Sequence, residues 1–135
     1  MAATMRVEVV SPEKVLFSGE ATQVITRTLS GEVAFLAGHA PFLGALAENH
    51  TRIYLADGSI QDVAVHRGFV EVSHDTVSIL SDTAELAGDI DVARARTAKE
   101  RAEEAVRRGD DDEAAGALAR ANARLNASGA TATAH

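Results

Sequence analysis

Apolar and polar residues alternate through Met5-Arg6-Val7-Glu8-Val9-Val10, the period of a strand with one face buried. Ser11-Pro12-Glu13 interrupts that run, Val15-Leu16-Phe17 resumes it, and Ser18-Gly19 predicts a second break. Gln23 to Thr28 is rich in β-branched residues and predicts a further strand. Ser30-Gly31-Glu32 reads as a turn into Val33-Ala34-Phe35-Leu36, after which Gly38-His39-Ala40-Pro41 forms a loop. Strand patterns recur over Thr51 to Leu55, Ile60 to Val65, Phe69 to Val72 and Val77 to Leu80. Asp57-Gly58 marks a tight hairpin and His74-Asp75 a turn. Short strands at close spacing, without strand-helix-strand alternation, predict a sandwich or flattened barrel.

After Leu86-Ala87-Gly88 the period changes to helical. Asp89 is the expected N-cap, with Asp91 adding negative charge to the first turn. Gly109 ends this helix, and Asp110 with Glu113 forms a capping box for a second that runs to about Asn126. The expected organisation is a β domain over 1–87, a helical hairpin over 88–128 and a frayed tail over 129–135. The first helix offers Ile90, Ala93, Ala98, Ala102, Ala105 and Val106 as its apolar stripe, the second Ala114, Leu118, Ala121 and Leu125. Alanine buries little surface, so this seam gains roughly a third to a half of what leucine would give. Helices of this length are marginal alone in water. The hairpin should therefore be held loosely enough for a ligand or partner to decide its position.

Composition narrows the chemistry. The chain has 135 residues with no Cys and no Trp, four Phe and one Tyr. Disulfides, thiolate metal sites and cysteine nucleophiles are excluded, and an aromatic platform for bases is not expected. Residues 1–87 carry eleven acids and five bases, net −6; residues 88–135 carry nine acids and eight bases, net −1. The strand domain should repel nucleic acid, whereas the tail suits an acidic partner surface or a phosphate group. Neither a secretory nor a transit pattern is read at Met1 to Arg6, and no apolar run reaches the length of a membrane span.

Several stretches, in this order and spacing, resemble the epsilon subunit of bacterial F-type ATP synthases. They are Val9 to Glu13 with Phe17-Ser18-Gly19, Gly31 to Leu43, Gly68 to Val72, Val77 to Glu85, and Asp91 to Glu103. The resemblance implies a ten-stranded flattened β-sandwich followed by an antiparallel helical hairpin. It also implies a non-catalytic rotor subunit linking the gamma stalk to the c-ring, with no nucleic-acid partner. The hairpin would either fold on the sandwich or extend toward the catalytic alpha/beta head, where it restrains ATP hydrolysis. The expected location is the cytoplasmic face of a bacterial plasma membrane, reached only through the complex.

The same resemblance assigns Gly31 and Glu32 to the face toward the c-ring, and Gly38 and His39 to the segment near gamma and the ring. Ala37 stands where the family usually has proline, which loosens that loop. Family members that hold ATP carry the pattern seen at Ile90, Asp91, Arg94 and Ala95, an acid where Glu85 stands, and arginines matching Arg101, Arg120 and Arg124. ATP is then a regulatory ligand, not a required cofactor. The chemistry is sound: arginines suit phosphate oxygens, and Asp91 or Glu85 can accept from a ribose hydroxyl or an exocyclic amine. No phosphate-cradling loop ending in Lys-Ser/Thr accompanies them, so binding without turnover is expected.

Plainer readings stand beside these. His39 can close its loop through a backbone hydrogen bond, Glu32 can be a turn acid, and the tail arginines can lie on solvated helix faces. His50, His66, His74 and His135 are expected at the surface, and no metal-ligand spacing is evident. Asp110 to Glu113 lacks the alternating ligands of a cation loop. A stand-alone nucleotide sensor is the alternative to a rotor subunit. A hydrolase is disfavoured because Ser11, Ser18 and Ser30 have no base partner legible in the sequence.

Overall fold

A computed structural model describes residues 3–109 and 112–130. Nine strands form the first part: β1 Met5–Val10, β2 Val15–Thr28, β3 Gly31–Leu36, β4 Phe42–Leu46, β5 Asn49–Leu55, β6 Ile60–Val65, β7 Gly68–Ser73, β8 Thr76–Leu80 and β9 Glu85–Leu86. A 3-10 turn at Ala87–Asp89 leads to helices α1, Val92–Arg107, and α2, Asp112–Ser128. The strands fold into two layers that share β2. Its first half pairs with β1, which runs on to β8, β7 and β4; its second half pairs with β3 and β5, which runs on to β6 and β9. Ten strands are implied by the resemblance and nine are formed among the described residues, because β2, at fourteen residues, serves both layers.

Inward residues of the two layers, among them Met5, Val7, Val24, Phe35, Ile53, Val70 and Ile79, form one apolar core, mostly aliphatic with Phe35 buried in it. Ser18-Gly19 does not break the chain as expected. β2 passes straight through it, with Gly19 paired to Val7 and the Phe17 ring lying over the space a side chain would fill. His74 and Asp75 both take positive φ (51° and 57°) in the turn between β7 and β8, matching the tight turn expected there.

Helix α2 lies between α1 and the β5–β6 face. It presents Ala123 and Ala127 to Ala64, Ile90 and Val92, while Ala114, Ala121 and Leu125 are also buried. The buried residues depart from the expected stripes: Ala123 and Ala127 of α2 were not among them, and α1 differs at three positions. Ala93 and Val106 are exposed and Ala95 is buried, because the inward face follows the helical spacing of Ala95, Ala98, Ala102 and Ala105, from which Ala93 and Val106 are displaced. The N-cap is Asp91, not Asp89: Asp89 is spent in the 3-10 turn, Ile90 is extended, and the Asp91 carboxylate accepts from the Arg94 amide at 3.0 Å. Gly109 (φ +78°) closes α1. The capping role expected of Asp110, and the frayed tail beyond Ala130, lie outside the described residues.

Candidate functional site

Pairing of β9 with β6 sets Glu85 opposite Ala64, two residues before His66. His66 was expected at the surface. It is buried instead (7% exposed), because it lies two residues beyond Ala64, on the face of β6 that α2 covers, while Val63 and Val65 face the sandwich core. Its Nε2 lies 2.9 Å from Glu85 Oε1 and its Nδ1 lies 3.2 Å from Glu48 Oε2. From α2, Arg124 Nε donates to the same Glu85 oxygen at 2.6 Å. Burial pushes the Glu85 carboxyl upward, but the Arg124 and His66 hydrogen bonds and their charges outweigh it and hold the group below the usual glutamate value.

Glu85 and Arg124 form one wall of a cleft of ≈ 370 Å³ whose other wall is the first turn of α1: Asp91, Arg94 and Ala95, with Asp89 and Ala98. Ile90 does not line it but is buried with Ala64 and Ala123. The fold thus brings Glu85, Asp91, Arg94, Ala95 and Arg124 around one opening. It does not bring Arg101 or Arg120 there. Arg101 borders a separate cleft between the helices that shares Ala98, and Arg120 Nη2 meets Glu113 Oε1 at 3.3 Å over a third cleft beside His66 and Arg67. Three carboxylates (Glu85, Asp89 and Asp91) and two guanidiniums line this volume; the guanidiniums suit phosphate oxygens and the carboxylates suit hydroxyl or amine donors of a polar molecule. Asp91 is partly committed to its cap, whereas no hydrogen bond reaches Glu85 Oε2 among the described residues.

Elsewhere, Gly31 and Glu32 open β3 while Gly38 and His39 follow its other end. Glu32 is exposed, 3.8 Å from Arg52 Nη2. The Gly38 amide donates to Asp75 Oδ1 at 2.7 Å. His39 Nδ1 lies 2.7 Å from the Ala40 carbonyl oxygen, and its ring stands edge-on to Phe35 at 4.9 Å. Sequence reasoning missed one surface feature altogether. Cross-strand pairing lines up Ala45, Phe69, Leu80, Val10 and Val15 on the outer face of the β4-β7-β8-β1-β2 layer. Phe69 is 55% exposed and Val15 57%, so this is an apolar row open to solvent. Apolar residues on both faces of β7 and β8 were its only sequence signal.

Comparison with known proteins places this architecture. Residues 4–87 match the family described as ATP synthase, Delta/Epsilon chain, beta-sandwich domain, and residues 89–129 match its long alpha-helix domain. The chain is 41% identical over 127 residues to the ATP synthase epsilon chain of Streptomyces griseus, spanning 94% of this chain and 97% of that one. It is 48% identical over 99 residues to the epsilon chain of Brevibacillus brevis, spanning 73% and 75%. Its fold is also similar to a chain in the Euglena gracilis mitochondrial ATP synthase assembly of OSCP, F1 and c-ring (TM-score 0.73, 20% identity, 100% of this chain and 84% of that one). The family match and these relatives thus define the class, a non-catalytic subunit of the ATP synthase complex. The chain belongs to the ATP synthase delta/epsilon chain family.

Proposed function

We propose that the protein works in the central stalk of the ATP synthase, with its sandwich held between gamma and the c-ring and its hairpin acting as a releasable arm that restrains ATP hydrolysis at the alpha/beta head. The open apolar row through Phe69, Leu80 and Val15 supports assembly into a complex, since an isolated domain has little reason to expose it. That row favours a stalk subunit over a stand-alone sensor. No helix among the described residues is long and apolar enough to cross a membrane. Attachment to the cytoplasmic face of a bacterial membrane is accordingly read as passing through the complex.

One observation carries the regulatory part: the arm meets the sandwich chiefly through small side chains and the Arg124–Glu85 bond, beside a cleft that also holds Asp91 and Arg94. ATP entering there would bridge the first turn of α1, α2 and β9, and so favour the docked state. Nothing around the cleft serves as a nucleophile or phosphate cradle, so the bound nucleotide acts as a ligand, not as a substrate.

Calorimetric titration of the full chain with ATP tests this, comparing wild type with Arg94→Ala and Asp91→Asn. Asparagine keeps the cap while removing the charge. Heat of binding in wild type, weakened in both variants, is the expected result. No heat at about millimolar ATP, a bound state worth only about 4 kcal/mol, would leave these residues structural. Reconstituted complexes lacking residues 89–135 should assemble yet hydrolyse ATP faster, and an unchanged rate would reject the inhibitory arm.

A further inference from the structure

Arg27 and Arg52 stand on the side of their layer where α2 lies, and no short ion pair holds either of them. Register puts them there. Arg52 pairs with Asp62 of β6 and with Ile25 of β2, and Asp62 shares its face with Ala64, which packs on Ala123 of α2. Arg27 follows Ile25 by two residues and so shares the same face. Both arginines line a cleft of ≈ 350 Å³ between sandwich and helix, with Asn122 of α2 on its other wall. Among the described residues, no side-chain hydrogen bond or ion pair reaches Arg27 or Asn122, and Arg52 has only Glu32, at 3.8 Å. The other charges at this cleft are already taken. Glu48 lies 3.2 Å from His66 Nδ1 and 3.5 Å from Arg67 Nε, and His50 Nε2 lies 2.6 Å from Asp62 Oδ1.

We propose that this cleft is an anion site that takes a phosphate group, gripped by the Arg27 and Arg52 guanidiniums and by the side-chain amide N–H of Asn122. Guanidiniums offer paired donors that match phosphate oxygens, and the amide adds a donor from the opposite wall. The volume suits a phosphate that keeps some of its water, or a small phosphate ester. Glu32 is the one acid within the grip, and it competes weakly: its side chain is 59% exposed and its contact with Arg52 is long. A phosphate close to doubly charged at neutral pH outcompetes a single carboxylate held that loosely. Glu32 then turns to solvent and leaves both guanidiniums to the bound anion. This cleft shares no lining residue with the one at the start of α1, so the site stands apart from the nucleotide reading.

Side-chain NMR signals of the isotope-labelled full chain test this, because they report each cleft separately. They are followed during titration with sodium phosphate, with glycerol 3-phosphate, and with sodium chloride at matched ionic strength. The expected result is a saturable shift of the Arg27, Arg52 and Asn122 signals at about millimolar phosphate. Saturation by both phosphates identifies the group itself as the ligand; saturation by inorganic phosphate alone identifies the free ion. Arg27 is exposed and Arg52 half-buried, so alanine at either position should leave the fold intact. Arg27→Ala and Arg52→Ala should each weaken binding about tenfold, the loss of one charge-assisted bond. Glu32→Gln, which removes the competitor, should tighten it. Shifts that chloride reproduces, shifts confined to Arg94 and Arg124, or an affinity that neither arginine substitution changes would each overturn the proposal.

Discussion

Replacing Arg124 with alanine removes the one charged bond between α2 and β9, and the structure sets how much that should matter. Both side chains are about one-third exposed, 32% for Arg124 and 31% for Glu85. A charge-assisted hydrogen bond of 2.6 Å in such a setting is worth roughly 1–2 kcal/mol, the lower part of the range for bonds to charged groups. Glu85 keeps His66, so no buried charge is left without a partner. The methyl groups of Ala123 and Ala127, which press on Ala64 and Ile90, contribute roughly 1.5 kcal/mol together. The bond therefore matches the methyl contacts in size, and its loss should raise the undocked fraction about 5- to 30-fold. Limited trypsin digestion reads this population when opening is fast relative to cleavage, because undocked helices of this length are marginal and expose Lys99, Arg101 and Arg107. Arg124→Ala should be cut in α1 at least about fivefold faster than wild type, with the sandwich left intact. Equal cleavage rates would refute the weight given to this bond.

Three other outcomes follow from the same structure. Gly68→Ala should lower Tm by more than about 10 °C, since a Cβ there collides with the Leu80 carbonyl oxygen and φ is +133°; thermal unfolding checks it. Acid should release the arm. The Glu85 carboxyl is held below its ordinary 4.5, so its stabilisation is complete above that value and is lost as pH falls through the lowered native one; the Arg124 side-chain NMR signal follows the change. Phe69→Asp should leave the isolated fold intact, because Phe69 faces solvent, yet reduce recovery of the subunit in reconstituted complexes severalfold, measured by pull-down.

Where the sequence was legible, a local rule and the tertiary structure agreed. Alternation in Met5 to Val10, the Asp57-Gly58 turn and the glycine stop at Gly109 each carry their own physical signal. β4 was not legible, because Phe42 to Leu46 lacks alternation and holds Gly44. Its ring neighbour explains that glycine: a Cβ at Gly44 would lie 2.8 Å from Phe42 Cε1. β9 has two residues and no periodicity to detect. Asp89 and Asp91 are equally good caps by residue type, and only the intervening 3-10 turn decides between them. The cleft residues near the start of α1 were readable as a group because they are close in sequence. The partner that fixes Glu85 was not, since His66 meets it only through the pairing of β6 with β9. Arg101 and Arg120 border other clefts, a separation that depends on how the two helices pack and that the sequence does not show.

Hydrogen exchange on the unliganded full chain tests the central claim most directly, because it compares the arm with the sandwich in one experiment. Amides of α1 and α2 should exchange at least about a hundredfold faster than those of β1, β7 and β8, reflecting an arm free to leave at a cost of only a few kcal/mol. Equal protection of helices and strands with nothing bound would contradict the account.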